Sequence, residues 1–151
     1  MSSDPLITII NGPNLNMLGQ REPEIYGATT LPQIERMCSR HAAEMGLEIE
    51  FKQSNHEGAL IDWLHDAREN ADGIIINAGA YTHTSIAVMD ALKLTDLPVI
   101  ELHLSNTHAR ESFRHHSYIA PVATGIIQGF GPAGYRLAID AMAGLLGVFE
   151  A

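Results

Sequence analysis

The hydrophobic positions of the chain fall into short continuous runs and longer periodic segments that alternate along the sequence. Runs rich in β-branched residues predict five β-strands, at residues 6–10, 47–51, 73–76, 98–104 and 121–127. Helical spacing predicts helices at 31–45, 57–70, 85–94 and 133–148, with a short helical stretch near 108–115. Strands that are apolar along their whole length are buried on both faces, so helices should cover both sides of a parallel sheet. The pattern therefore predicts an α/β fold, a flavodoxin-like three-layer sandwich with a five-stranded parallel sheet.

Capping residues indicate where two of these helices begin and where one ends. Thr30 followed by Gln33, and Ser54 followed by Glu57, have the spacing of a capping box, in which two side chains satisfy free backbone N–H groups. Gly46 follows the first predicted helix and suits a left-handed position there. We expect two capped helix starts and one glycine-terminated helix.

Length and charge narrow the class of protein. The chain has 151 residues, with nine Lys and Arg against eighteen Asp and Glu, and a formal net charge of −9. We expect residues 1–151 to form one domain with Cys38 in its core. The shortage of basic residues argues against nucleic acid as a partner, and no apolar run or basic leader indicates a membrane span or a secretory signal, so a cytoplasmic location is expected. A small anionic ligand remains compatible, because two arginines can dominate a local site.

Polar residues follow the predicted strands where each strand ends. Residues 11–14 read Asn-Gly-Pro-Asn, residues 55–56 read Asn-His, Asn77 ends the third strand, and residues 101–105 read Glu-Leu-His-Leu-Ser. In open parallel sheets, ligands bind beyond the carboxyl ends of the strands. We therefore expect these residues to form one polar rim.

The rim contains residues suited to acid catalysis and to binding of a hydroxylated acid. His103 stands at the end of a buried strand, where an imidazole can act as a general acid. Glu101 is two residues earlier and projects to the same face of the strand, where it can orient the imidazole. Further neutral and cationic donors are available nearby: Asn77, His83, Arg110 and Arg114.

The segment 19–27 is long, polar and bracketed by glycines, which is typical of a lid over a binding site. It contains Arg21 and Tyr26. A phenol with the usual pKa of about 10 is a poor base near neutrality, but a guanidinium beside it favours the phenolate. Tyr26 is therefore a candidate for removing a carbon-bound proton.

Several cofactor and signalling classes fit the chain poorly. Residues 129–134 carry the glycine spacing of a dinucleotide site, but no further strand with an acidic residue follows, so we interpret them as a tight strand-to-helix turn. A phosphate-accepting receiver domain needs a lysine beyond the last strand, and Lys52 and Lys93 are not placed there. The loop at 11–14 lacks the hydroxyl side chains of a flavin phosphate loop. No organic cofactor is expected.

The histidines leave two other classes of function open. The pairs His103 with His108 and His115 with His116 lack the flanking ligands of a zinc site, so no metal is expected. An enzyme of the same shape that uses these histidines for metal-assisted hydrolysis stays an alternative, as does a sensor or scaffold subunit that binds a small acid without turnover. Stoichiometric zinc would favour the former, and binding without turnover the latter.

The sequence resembles the type II 3-dehydroquinate dehydratases along almost its whole length. The blocks that carry the resemblance are residues 11–19 (NGPNLNMLG), 21–27 (REPEIYG), 54–58 (SNHEG), 77–83 (NAGAYTH), 101–106 (ELHLSN) and 108–114 (HARESFR). Separate blocks in register are far more specific than a single motif. The resemblance implies dehydration of 3-dehydroquinate in the shikimate pathway to aromatic amino acids, with no metal or organic cofactor.

The same resemblance implies roles for the residues of the reaction. Tyr26 would accept the proton, with Arg21 keeping it ionised, and His103 would donate a proton to the departing hydroxyl. Asn14 would hold a water near the enolate oxygen. An enolate route also agrees with the lysines, because neither ends a strand, as a Schiff-base lysine in a pocket of this kind would.

Binding roles and an assembly are implied as well. Leu104 and Ser105 would bind the substrate carboxylate, partly through backbone N–H groups. Asn77, His83 and Arg114 would hold ring hydroxyls. The family resemblance further implies that Asp90 reaches a neighbouring subunit's site, in a homo-oligomer that is commonly a dodecamer built as a tetramer of trimers.

Overall fold

The computed structural model describes residues 4–20, 24 and 28–148, and that part of the chain contains five strands and four α-helices of ten or more residues, besides short 3-10 helices. The strands are β1 (Leu6–Asn11), β2 (Glu48–Gln53), β3 (Gly73–Asn77), β4 (Val99–His103) and β5 (Gly125–Gln128). The helices are α1 (Leu31–Glu44), α2 (Glu57–Asn70), α3 (Ile86–Thr95) and α4 (Ala133–Leu145). All neighbouring strands pair in parallel, in the order β2-β1-β3-β4-β5. The predicted fold class is confirmed.

The hydrophobic core lies in two layers, one on each face of the sheet. Ile9 of β1 packs with the buried sides of α1 and α4, whereas its neighbour Ile10 packs with those of α2 and α3. Successive side chains of a strand point to opposite faces, so a strand covered on both sides needs apolar residues at consecutive positions. The continuous apolar runs of the sequence have this physical origin.

Three predicted elements differ from the structure by more than two residues or in kind. The last strand begins at Gly125 rather than at 121, because Pro121 lies in a 3-10 helix, Ala120–Val122, where its missing N–H group is tolerated. The last helix ends at Leu145 and not at 148. The short helical stretch near 108–115 consists of two separate 3-10 helices, Thr107–Ala109 and Ser112–Arg114.

The capping box predicted at the start of α1 and the left-handed glycine predicted after its end are confirmed. The backbone N–H of Thr30 donates to Gln33 Oε1 at 2.9 Å, and the backbone N–H of Gln33 donates to Thr30 Oγ1 at 3.4 Å, which completes the capping box. Gly46 adopts φ +74°, the left-handed conformation expected after the helix.

The second predicted capping box is wrong. The N-cap of α2 is His56, and Ser54 Oγ accepts a hydrogen bond from the backbone N–H of His56 at 3.0 Å. The carboxylate of Glu57 instead accepts a hydrogen bond from the hydroxyl of Ser85, the N-cap of α3. The spacing of Ser54 and Glu57 in the sequence cannot show that Ser85, from another helix, binds the Glu57 carboxylate instead. This bond ties the starts of α2 and α3 together beside the carboxyl edge of the sheet.

Two glycine positions shape the loops at this edge. Gly12 follows β1 and donates its backbone N–H to Asn77 O at 2.8 Å. A Cβ atom at Gly12 would lie 2.2 Å from the carbonyl oxygen of Ala78, so no side chain fits. Between β5 and α4, Gly129 and Gly131 adopt φ +95° and +61°, which confirms a tight turn at this glycine-rich segment.

Within the described residues, no helix combines the length and the apolar character that crossing a membrane requires.

The buried thiol of Cys38 gives the fold a specific response to alkaline pH. Burial, followed by the nearby charge of Glu35, raises the pKa of the Cys38 thiol from 9.0 to about 12. The unfolded thiol loses its proton from about pH 9 while the folded thiol keeps it, so the free energy of unfolding should fall by about 1.4 kcal/mol per pH unit in that window.

We expect the free energy of unfolding of Cys38→Ala to lack this dependence on pH. The space left by the removed thiol will lower the stability of the variant already at pH 7. Urea-induced unfolding of both proteins at pH 7, 9 and 10.5, at one protein concentration, measures the difference. Other alkaline titrations affect both proteins equally. Stability curves that stay parallel up to pH 10.5 would contradict the buried, protonated thiol.

Candidate active site

A cleft opens at the carboxyl edge of the sheet, above β1, β3 and β4. Its lining contains eight of the residues predicted from the sequence: Asn14, Asn77, His83, His103, Leu104, Ser105, Arg110 and Arg114. Because β1 and β3 are neighbours while their following connections run to opposite faces, this edge is the switch point at which ligands bind in such sheets. The fold therefore brings residues from four separate sequence blocks to one place.

Of the four other predicted site residues, two lie outside the cleft lining and two fall on residues that the structure does not describe. Glu101 is buried behind His103 rather than in the cleft lining. Asp90 is exposed on α3 and does not line the cleft of its own chain. Arg21 and Tyr26, with most of the predicted lid 19–27, lie outside the described residues.

His103 is held by a buried carboxylate at the end of β4. Glu101 is 2% exposed, and its Oε2 atom lies 2.6 Å from His103 Nε2. A carboxylate only accepts hydrogen bonds, so Nε2 carries the proton of this contact and Nδ1 is left for a second partner. The hydroxyl of Ser117 also donates to Glu101 Oε2, at 2.9 Å. The imidazole is thus oriented as a proton-transferring group would have to be.

A second imidazole, that of His83, stacks near His103 with a ring-centroid distance of 6.2 Å. Its Nδ1 donates to the carbonyl oxygen of His116 at 2.7 Å. Burial lowers the pKa of His83, and the hydrogen bond to the His116 carbonyl opposes this shift only in part. A neutral His83 with its proton on Nδ1 presents Nε2 as an acceptor, which suits a ligand hydroxyl.

Two arginines give the cleft its positive charge. Arg110 Nη1 donates to Ser105 Oγ at 3.5 Å, and Arg114 Nε donates to the carboxylate oxygens of Glu111 at 3.2 and 3.3 Å. Arg110 Nε also lies 3.7 Å from that carboxylate. A backbone hydrogen bond, and then Arg114, lower the pKa of Glu111, so it stays an anion between the two arginines. A local cationic site inside an acidic chain favours an anionic ligand.

A buried tyrosine supports the floor of the cleft. Tyr135 of α4 is fully buried, and its hydroxyl donates to Asn11 Oδ1 at 2.6 Å and accepts from Asn77 Nδ2 at 3.3 Å. Burial raises the pKa of Tyr135, so the phenol stays protonated and keeps its donor role. Asn77 Oδ1 accepts from the backbone N–H of Gly79 at 3.3 Å. The amide of Asn77 is therefore fixed from both ends.

The loop after β1 is fixed by the loop after β2. Asn14 adopts φ +70° and donates its backbone N–H to Asn55 Oδ1 at 3.0 Å. Gln53 Nε2 donates to Gly12 O at 3.1 Å and to Asn55 Oδ1 at 3.2 Å, and Tyr81 donates its hydroxyl to Asn55 O at 2.8 Å. Asn14 reaches the cleft in a conformation that its neighbours determine.

Across the parts of the chain that the structure describes, no group of three or more His, Cys, Asp or Glu side chains could hold a metal ion.

Comparison with known proteins agrees with this geometry. The family model described as dehydroquinase class II matches residues 5–143. A 3-dehydroquinate dehydratase of Dinoroseobacter shibae is 66% identical over 134 residues, which cover 89% of each chain, and that of a Jannaschia species is 62% identical over 136 residues, covering 90% of this chain and 92% of its own. The crystal structure of a type II dehydroquinase from Butyrivibrio crossotus superposes with a TM-score of 0.91 at 47% identity, covering 93% of this chain and 99% of its own.

The chain belongs to the class II dehydroquinase family. The resemblance inferred from the sequence is confirmed, and with it the class of enzyme, a type II 3-dehydroquinate dehydratase, which is a hydro-lyase. A less similar solved structure, that of a 3-dehydroquinate dehydratase-like protein from Bifidobacterium longum, superposes on this chain with a TM-score of 0.72 at 31% identity.

Two supporting residues of this class II dehydroquinase, Ser117 and Tyr135, were not found from the sequence, and the contacts of a third, Asn55, were not foreseen. Ser117 lies in an irregular segment with no periodic pattern, so no signal places its hydroxyl beside Glu101. Tyr135 has the spacing of an ordinary core residue of α4, and nothing in that spacing predicts a polar contact. Asn55 was assigned to the rim, but its role in holding the loop of Asn14 depends on a pairing across the sheet.

The polar bridge under the cleft predicts a stability loss on removal of one hydroxyl. Tyr135→Phe leaves the buried Asn11 and Asn77 side chains without their common partner, and we expect it to lower the free energy of unfolding by about 1–3 kcal/mol. Tyr118→Phe is the matched control, because Tyr118 is only half-buried. We expect it to stay within about 0.5 kcal/mol of the original protein. Urea denaturation measures both, and equal stability of the two variants would contradict the bridge.

Proposed function

We propose that the protein removes water from 3-dehydroquinate to give 3-dehydroshikimate through an enolate, with Tyr26 as the base and His103 as the acid. The observation that carries the proposal is the pairing of His103 with the buried Glu101 at the foot of a cleft that two arginines make cationic. The relatives, which are 3-dehydroquinate dehydratases, supply the substrate class.

In the first step, the base removes a proton from the carbon next to the ketone, and the electron pair of the C–H bond moves to the ketone oxygen as an enolate. Tyr26 takes this proton, and the guanidinium of Arg21 favours its ionised form. Asn14 holds a water that donates to the enolate oxygen. The contacts that fix the backbone of Asn14 support this role, because stabilisation of an oxyanion depends on preorganised donors.

In the second step, the enolate collapses and the bond from carbon to the departing hydroxyl breaks. The imidazolium form of His103 gives its Nδ1 proton to that hydroxyl, which leaves as water, and the imidazole that remains is neutral with its proton on Nε2. The hydrogen bond from Nε2 to Glu101 supports this role in two ways: it directs Nδ1 away from the carboxylate, and it places a negative charge beside the imidazolium form.

The cleft lining suggests how the substrate is oriented. Ser105, beside the guanidinium of Arg110, and Leu104 bind the substrate carboxylate, partly through backbone N–H groups. Asn77, His83 and Arg114 hold the ring hydroxyls. The set contains an amide, a neutral imidazole and guanidinium groups, which together offer donors and acceptors to a polyhydroxylated anion.

We also propose that the enzyme works as a homo-oligomer, a dodecamer of four trimers, in which Asp90 completes the site of a neighbouring subunit. Asp90 lies between Ile86 and Leu94 on one exposed face of α3, and these two apolar residues are 53% and 61% exposed. An exposed apolar stripe is typical of an interface. We place the enzyme in the cytoplasmic shikimate pathway, acting on its small-molecule substrate without cofactor or metal, and as one catalytic domain over residues 1–151.

The two proton-transfer residues can be tested separately by following the conjugated enone product spectrophotometrically. We expect Tyr26→Phe and His103→Ala to lower kcat by about 100- to 10,000-fold while substrate binding, measured by calorimetry, changes far less. Activity of the original protein should survive EDTA and borohydride added with the substrate. Near-normal kcat in either variant would show that its residue has been misassigned, and borohydride trapping on Lys52 or Lys93 would overturn the enolate route.

A shared site can be tested by mixing two inactive subunits. If Asp90 serves a neighbour, a mixture of Asp90→Ala and His103→Ala chains contains some sites with both intact residues. Random co-assembly in equal amounts should restore activity at about a quarter of the sites. Co-expression with two different tags isolates the mixed assemblies, and sedimentation reports their size. A mixture as inactive as its components, with mixed assemblies present, would place Asp90 outside the neighbour's site.

A further inference from the structure

We propose that Ser117 is a positioning residue that acts through Glu101 to hold the imidazole of His103 in one tautomer. Its hydroxyl lies 2.9 Å from the carboxylate oxygen that also contacts His103 Nε2. The inference rests on the proposed function only in that His103 is taken as the proton donor.

The direction of the Ser117 hydroxyl is fixed by the backbone around it. Ser117 Oγ accepts hydrogen bonds from the backbone N–H groups of Ile119 at 3.1 Å and Ala120 at 3.0 Å. These two donors occupy the lone pairs of the oxygen, so its proton has to point to Glu101. Hydrogen bonds in such a chain also polarise one another, which strengthens the donation to the carboxylate.

This contact distinguishes the two oxygens of the Glu101 carboxylate. Oε2 receives both Ser117 and His103, whereas Oε1 is buried and has no hydrogen-bond partner among the described residues. Without Ser117, the two oxygens become more nearly equivalent, and the carboxylate can rotate so that Oε2 leaves its position opposite His103 Nε2. A carboxylate that has turned away from the ring no longer requires the His103 proton to stay on Nε2.

The segment that carries Ser117 links the proposed proton donor to residues proposed to bind the substrate. His116, its neighbour, accepts the Nδ1 proton of His83 through its backbone carbonyl. Arg114 lies three residues earlier on the same segment. One stretch of chain therefore contacts His83 directly at Nδ1, reaches His103 Nε2 through Glu101, and carries a guanidinium of the cleft. A displacement of this stretch would change the tautomers and the charge of the site together.

The test compares Ser117→Ala with Ser117→Thr, because threonine keeps the hydroxyl. Solid-state ¹⁵N spectra of histidine-labelled protein report the tautomer in the intact assembly, and the His103 signals are those absent from His103→Gln. We expect one Nε2-protonated form in the original protein and in Ser117→Thr, and a mixture of tautomers in Ser117→Ala. We expect Ser117→Ala to lower kcat by about 10-fold with KM changed less than about twofold, and Ser117→Thr to restore most of the loss.

Thr95→Ala is the matched control for loss of a buried hydroxyl. Thr95 Oγ1 donates to Leu92 O at 2.7 Å and accepts from the backbone N–H of Leu97 at 3.3 Å, before β4 begins and away from the cleft. It should lose stability with unchanged kcat and an unchanged His103 spectrum.

A single tautomer and normal kcat in Ser117→Ala, or equal losses in the alanine and threonine variants, would overturn the inference. An original protein inactive on 3-dehydroquinate, whose His103 tautomer still depends on Ser117, would reject the proposed reaction while supporting the positioning role.

Discussion

The site depends on a carboxylate that the protein removes from water at the end of a central strand. A buried ionised group is tolerated only when hydrogen bonds replace the solvent, and Glu101 obtains these from His103 and Ser117. The segments that carry His103 and Ser117 therefore have to be placed accurately around the Glu101 carboxylate. β4 fixes the spacing between Glu101 and His103, because residues two apart on a strand share a face. The irregular segment after the 3-10 helices has to return to the sheet to supply Ser117.

The fold and much of the cleft were predictable because they follow from local periodicity. Continuous apolar strands, alternating helices and polar strand ends together determine which residues meet at the carboxyl edge, and Asn77 and His103 lie where that reasoning placed them. The contact between Glu101 and His103 was predictable for the same reason. Boundaries were less predictable where a proline favours a 3-10 turn, as at Pro121.

The remaining contacts were not predictable because they join distant parts of the chain. Ser117 reaches Glu101 from an irregular segment, and Tyr135 reaches Asn11 across 124 positions of sequence. Glu57 has the spacing of a capping residue, yet its carboxylate bonds Ser85 from another helix. In each case only the packed fold provides the partner, and for Glu57 that partner replaces the short-range one suggested by the spacing.

The contact between Gly12 and Ala78 constrains how the enzyme can be re-engineered. With no room for a side chain between these two loops, the distance between the β1 and β3 ends cannot be widened by substitution at Gly12. Substrate selectivity is then adjustable mainly from the opposite wall, where Ser105, Arg110 and Arg114 lie on segments that make fewer backbone contacts across the sheet. A library intended to admit a larger cyclic acid should therefore keep residues 11–14 constant and vary the arginine-bearing wall.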